Sequence, residues 1–137
     1  MDTILETLST GLPVLLLQLA VTLALLGLGS AIYTAVTPFH EFRLVREGNV
    51  AAGISLAGTM LALAIPLAAT LATSLVTLDI LLWGLVALVV QLLAFLLASH
   101  LIPGLRRMIE ADNPAAACVL VGVQLSVALL NAGAMAG

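Results

Sequence analysis

The residues that could do chemistry in this chain are few. They are His40 and His100, the single Cys118, the arginine pairs Arg43/Arg46 and Arg106/Arg107, and a scatter of amides and hydroxyls. Two histidines without a cysteine or carboxylate cluster at ligand spacing do not make a metal site. Both stand beside the ends of apolar runs, where an imidazole reaches water or a headgroup; a paired proton-sensing role is the alternative. Cys118 sits alone in an apolar run, which excludes a disulfide framework and suits a small packed or lipid-facing side chain. No serine or threonine has an acid–base partner close in sequence, and there is no glycine-rich phosphate loop. We therefore expect no catalytic residue, no metal, no cofactor and no enzymatic activity. Nucleic acid is excluded as a partner, because the chain has no lysine and its basic residues come in two isolated pairs.

What remains is binding chemistry. Arg43, Arg46, Arg106 and Arg107 could hold anionic lipid headgroups or an acidic partner. Each pair lies just ahead of an asparagine-capped helix, whose dipole and free N–H groups favour anions. The plain alternative is that these arginines only set orientation during insertion. A second set, Gln18, Gln91, Gln124 and Asn131, lies inside otherwise apolar runs. Amides there hydrogen-bond across helices, typically for about 0.6 kcal/mol each, or line a hydrophilic cavity. Gln91 and Gln124 fall at matching depth and are expected to pair. Gln18, Thr22, Gly29 and Tyr33 share one helix face, as do Thr59, Pro66, Thr70 and Thr73.

The elements that must position these groups follow from composition. Of 137 residues, 63% are hydrophobic and 8% charged, with a mean hydropathy of +1.28. A soluble domain needs about 25% charged residues to cover its surface. Four uncharged apolar stretches, about 12–36, 50–76, 80–102 and 115–136, each reach the roughly 20 residues that cross about 30 Å of hydrocarbon. Continuous apolar runs exclude a transmembrane barrel, whose strands alternate. Met1-Asp2-Thr3 with Glu6 lacks the basic region of a secretory signal, so the first span is expected to be retained. Pro13 is placed in the first turn of span one, Pro38 and Pro103 at span ends, and Asn113-Pro114 as a cap and first helical residue. Pro66 alone falls inside a span, where it should kink the helix near Ala62. Trp83 reads as an outer-interface anchor. Gly27/Ala31/Ala35 and Ala64/Ala68/Ala72 recur every fourth residue, which lets helices approach closely within the chain or in a homo-oligomer.

All four arginines fall between spans one and two or between spans three and four, with none in the tails or near Asp79. That asymmetry predicts cytoplasmic arginine loops and two periplasmic termini. Aligning Asn49 with Asn113 also matches Ala51-Ala52 with Ala115-Ala116, Leu56 with Leu120, Gly58 with Gly122, Leu61 with Leu125 and Ala64 with Ala128. Pro38 meets Pro103 with one residue of slippage. The expected fold is one all-α membrane domain over residues 1–137. Its four transmembrane helices form two parallel two-helix repeats, 12–76 and 80–136. The short charged segments look amphipathic. Leu105, Met108 and Ile109 stand opposite Arg106, Arg107 and Glu110, and Phe39, Phe42 and Val45 opposite Arg43, Arg46 and Glu47. Both suit helices lying in the headgroup plane. No buried ionisable residue, the usual mark of transport or relay, is expected.

The segments TPFHEFRLVREGNVAAGISLAG, DILLWGLVALVVQLLAFLL and PGLRRMIEADNPAAA resemble a known group over nearly the whole chain. It is the YjfL-type domain-of-unknown-function family of small bacterial inner-membrane proteins. The resemblance implies a repeated two-helix unit and an inner-membrane location. Such proteins often stand beside phage-shock-type membrane-stress proteins, which implies envelope maintenance with a peripheral stress protein as cytoplasmic partner. It transfers no catalytic residue. Two functions are weighed: a non-enzymatic scaffold or partner in the lipid bilayer, which we favour, and a subunit of an oligomeric channel or small transporter. Four-helix small multidrug exporters depend on a membrane-embedded carboxylate, and the spans here hold none.

Overall fold

The computed structural model describes residues 1–37 and 40–136. Among these residues are six helices and no strand: α1 (Asp2–Val36), α2 (Glu41–Arg46), α3 (Val50–Thr73), α4 (Thr77–Leu101), α5 (Leu105–Glu110) and α6 (Pro114–Ala136). α1, α3, α4 and α6 are each long and apolar enough to cross a membrane. The largest departure from the expected spans is at the start of α1. This helix has 35 residues, or about 52 Å at 1.5 Å per residue. Its polar beginning is helical too, and there Thr7 donates to the Thr3 carbonyl and Thr10 to that of Glu6, so the hydroxyls are satisfied by the helix itself. Pro13 therefore lies inside α1 rather than in its first turn, and the Ser9 carbonyl loses its usual N–H partner. Pro38 and Phe39 fall outside the described residues.

At the arginine end, the two short helices correspond residue for residue. α2 and α5 each span six residues, and the same bonds leave them. Glu47 N–H reaches the Arg43 carbonyl as Ala111 N–H reaches that of Arg107, and Asn49 N–H reaches Leu44 as Asn113 N–H reaches Met108. Each exit turns on one residue of positive φ, Gly48 at +83° and Asp112 at +60°, which glycine and aspartate accept more readily than other residues. Asn49 Oδ1 then caps α3 by accepting from Ala52 N–H at 2.8 Å, and Asn113 Oδ1 accepts from Ala115 and Ala116 at 3.1 and 3.3 Å. The two exits are also tied to each other. Asn49 Nδ2 donates to the Ile109 carbonyl and Ala51 N–H donates to Asp112 Oδ1, both at 2.9 Å.

From these caps α3 and α6 run in the same direction and make the most extensive contact of the bundle. Gly58 makes that approach possible, since a methyl group there would lie 2.2 Å from a Val121 methyl. α4 packs on both, and α1 packs on α3 and α4. Gly29 meets Leu88 and Leu63, while Gly84 meets Leu25. These glycines close the bundle; Gly27, Ala31, Ala35, Ala68 and Ala72 are exposed on its outside. Tyr33, Phe95, Ile109 and Leu120 form the core toward the arginine end, and Leu25, Leu63, Leu67 and Leu88 the core toward the other.

Candidate functional site

Glu41 overturns the expectation that no ionisable side chain is buried. It opens α2 and is 2% exposed. Tyr33, in the last turns of α1, donates its hydroxyl to Glu41 Oε1 at 2.7 Å, and Ser55 of α3 donates to the same oxygen at 3.1 Å. The Tyr33 ring is held edge-on against Phe95 of α4, with centroids 4.8 Å apart. Three long helices thus fix one carboxyl oxygen. The other, Oε2, has no partner among the described residues. Burial pushes the Glu41 carboxyl up to about 7, against the lowering pull of the Tyr33 and Ser55 hydrogen bonds. A carboxyl in such a setting can take up or release a proton near neutral pH, and perturbed groups of this kind concentrate at functional sites.

The sequence reading missed Glu41 because it weighed only Phe39, Phe42 and Val45 against Arg43, Arg46 and Glu47. Phe42 is 58% exposed and Val45 is exposed as well, whereas Glu41 and Leu44 face the bundle. Tyr33 and Ser55 meet the inward acid with two hydrogen bonds, which offset part of the cost of burying it. α5 does behave as an amphipathic helix, with Leu105 and Ile109 buried. A signal was present. Carrying the Asn49–Asn113 alignment back into the charged segment sets Glu41 on Leu105, a core position.

All four arginines are exposed. Arg43 lies 3.6 Å from Glu47 and Arg106 3.1 Å from Glu110, exposed pairs of a kind that adds little stability. Arg46 and Arg107 have no acidic partner among the described residues. The N–H groups at the starts of α3 and α6, expected to be free for anions, are instead taken by Asn49, Asp112 and Asn113. An anion at this face would meet guanidinium groups, not a bare helix end. His40 and His100 are exposed at the same end.

Gln91 and Gln124 do come together, but not side chain to side chain. Gln91 Nε2 donates to the backbone carbonyl of Gln124 at 3.3 Å, while Gln124 Oε1 accepts from the Thr59 hydroxyl at 3.2 Å. The amide of α6 is drawn across to α3 because those two helices pack most closely. Gln124→Leu should therefore cost on the order of 0.5–2 kcal/mol of bundle stability. It should couple to Thr59→Val in a double-mutant cycle but add independently to Gln91→Leu, whose backbone acceptor survives. Unfolding in mixed micelles measures this, and coupling between the two glutamines would contradict the arrangement. Gln18 is partly exposed near the middle of α1 and makes no interhelical bond among the described residues. Asn131 lies toward the opposite end from the arginines, with its Nδ2 enclosed and without a partner among the described residues.

A family model described as Domain of Unknown Function (DUF350) matches residues 7–135. The chain is 34% identical over 104 residues to the UPF0719 inner membrane protein YjfL of Escherichia coli K12, covering 76% of this chain and 79% of that protein. The same figures hold for YjfL of Escherichia coli O157:H7. No solved structure matches the chain.

Proposed function

The chain belongs to the DUF350 family of integral inner-membrane proteins, and from that premise we propose that it is a non-enzymatic membrane scaffold. Its arginine end is the cytoplasmic working surface, engaging anionic headgroups or a peripheral membrane-stress protein in envelope maintenance. Both termini are then periplasmic, and the two halves act as parallel repeats. One observation carries the reading. The bonds from Asn49 to the Ile109 carbonyl and from Ala51 N–H to Asp112 lock the two arginine-bearing turns into one platform. A platform of fixed geometry recognises a partner without first being ordered. Arg46 and Arg107 supply the uncommitted charge, each contributing roughly 1 kcal/mol near an anionic leaflet.

The test keeps charge and changes geometry. Converting Arg43, Arg46, Arg106 and Arg107 together to Lys preserves positive-inside insertion but removes the planar, bidentate fork. A C-terminal phosphatase fusion should stay active in cells, while phosphatidylglycerol retained through mild-detergent purification falls by about threefold or more. Undiminished retention would confine the arginines to a role in insertion. The channel-subunit alternative draws its support from Glu41, a buried carboxyl of the sort that transport sites use.

A further inference from the structure

At the end opposite the arginines, α3, α4 and α6 border a cavity of about 500 Å3. Thr70, Thr73 and Ser74 line it from α3 and its exit, Asp79 and Trp83 from α4, and Asn131 from α6. Its chemistry is one-sided. Asp79 is the single charged residue in the lining and has no ion-pair partner among the described residues. Trp83 offers an indole, the ring that attracts cations most strongly. Asn131 Nδ2 has no acceptor among the described residues, a donor that costs stability until something supplies one. Two of the neighbouring hydroxyl protons are already committed, Thr70 to the Pro66 carbonyl at 3.0 Å and Thr73 to that of Ala69 at 2.8 Å. What the lining asks for is a cation at one end and an acceptor oxygen at the other.

We propose that this cavity binds a small ammonium compound bearing an acceptor oxygen, the ethanolamine class. The ammonium sits between Asp79 and the Trp83 ring, and the Asn131 amide turns toward the cavity to donate to the oxygen. The volume falls in the range of small-molecule sites. The same group exists as a free amino alcohol and as the headgroup of phosphatidylethanolamine, so the experiment needs an arm for each source.

Trp83 is the only tryptophan of the chain, and its emission therefore reports on the cavity directly. The full chain, freed of lipid in detergent, is titrated with ethanolamine. Ethylene glycol serves as the uncharged control, and tetramethylammonium as a cation without the oxygen. Ethanolamine should give a saturable change and ethylene glycol none. Asp79→Asn should weaken the apparent affinity by about tenfold, and Asn131→Leu should weaken ethanolamine but not tetramethylammonium. Asp79 and Trp83 are exposed, so Asp79→Asn should melt with the wild type. In the lipid arm, nanodiscs of phosphatidylethanolamine are compared with nanodiscs of phosphatidylglycerol. If the headgroup is the occupant, Trp83 emission differs between the two discs in the wild type and not in Asp79→Asn. The proposal is overturned by the absence of any Asp79-dependent response in either arm, or by a response that Asp79→Asn leaves intact.

Discussion

Raising the pH from about 5 to about 8 should lower the melting temperature of the wild-type protein in detergent, and Glu41→Gln should remove that fall. Burial lifts the Glu41 carboxyl from its ordinary 4.5 to about 7 in the folded chain, so between those values the native state binds more protons than the unfolded one. Stability attributable to this group is then fully present below the unfolded value. It is lost as pH rises through the window and is level again above about 7. A shift of this size corresponds to roughly 3 kcal/mol. The groups facing Glu41 are few: Tyr33 from α1 and Ser55 from α3, with His40, Arg43 and Arg46 of its own segment beside it around the adjoining pocket. Glutamine keeps the shape and the acceptor oxygen while remaining neutral. The variant should match the wild type at low pH and melt above it at about pH 8. Glu41→Ala, which also has no group to titrate, should lie below Glu41→Gln at every pH by about 1–3 kcal/mol, because the Tyr33 and Ser55 hydroxyls lose their shared acceptor. Parallel pH curves for wild type and Glu41→Gln would show that Glu41 is not the titrating group.

Gly58→Ala should be the most damaging single-methyl change in the chain, costing about 1–3 kcal/mol. The added carbon would stand 2.2, 2.6 and 2.9 Å from Val121 Cγ2, Cγ1 and Cβ. A rotamer change moves the two methyl groups but not Val121 Cβ, so α3 and α6 must separate along their principal interface, which strains both core clusters. Val121→Ala removes the two nearest of the three atoms, and the double variant should recover most of the loss. Gly53→Ala is the control, since nothing lies within 4 Å of that position. Melting temperatures in detergent would decide it, and a failure of Val121→Ala to rescue would place the damage elsewhere.

The fold class was legible from residue types alone, and the physical reason is local. A stretch of some 20 uncharged apolar residues must cross the bilayer as a helix, because lipid offers no partner for its backbone groups, whatever it later packs against. For the same reason Asn49 and Asn113 could be read as caps, each acting on N–H groups within three residues of itself. The arginine placement was likewise plain, being a matter of order along the chain. The extension of α1 to Asp2 was not, because the uncharged apolar run that marks the span begins only at Leu12.

Which side of a short helix turns inward was beyond the sequence, and so was the partner of each polar side chain. α2 has six residues, too few for periodicity to choose between Phe42 and Glu41. The inward acid is met by Tyr33 and Ser55, brought to the same point by α1 and α3. Gln124 had two candidate partners at equal depth, and only the close approach of α3 and α6 at Gly58 sent it to Thr59 rather than to Gln91. In a chain so uniformly apolar, hydrophobicity decides that the helices cross and says little about how they face one another. Close packing around three glycines and a handful of hydrogen bonds decided the rest, because lipid tails are as apolar as leucine and do not discriminate between helix faces.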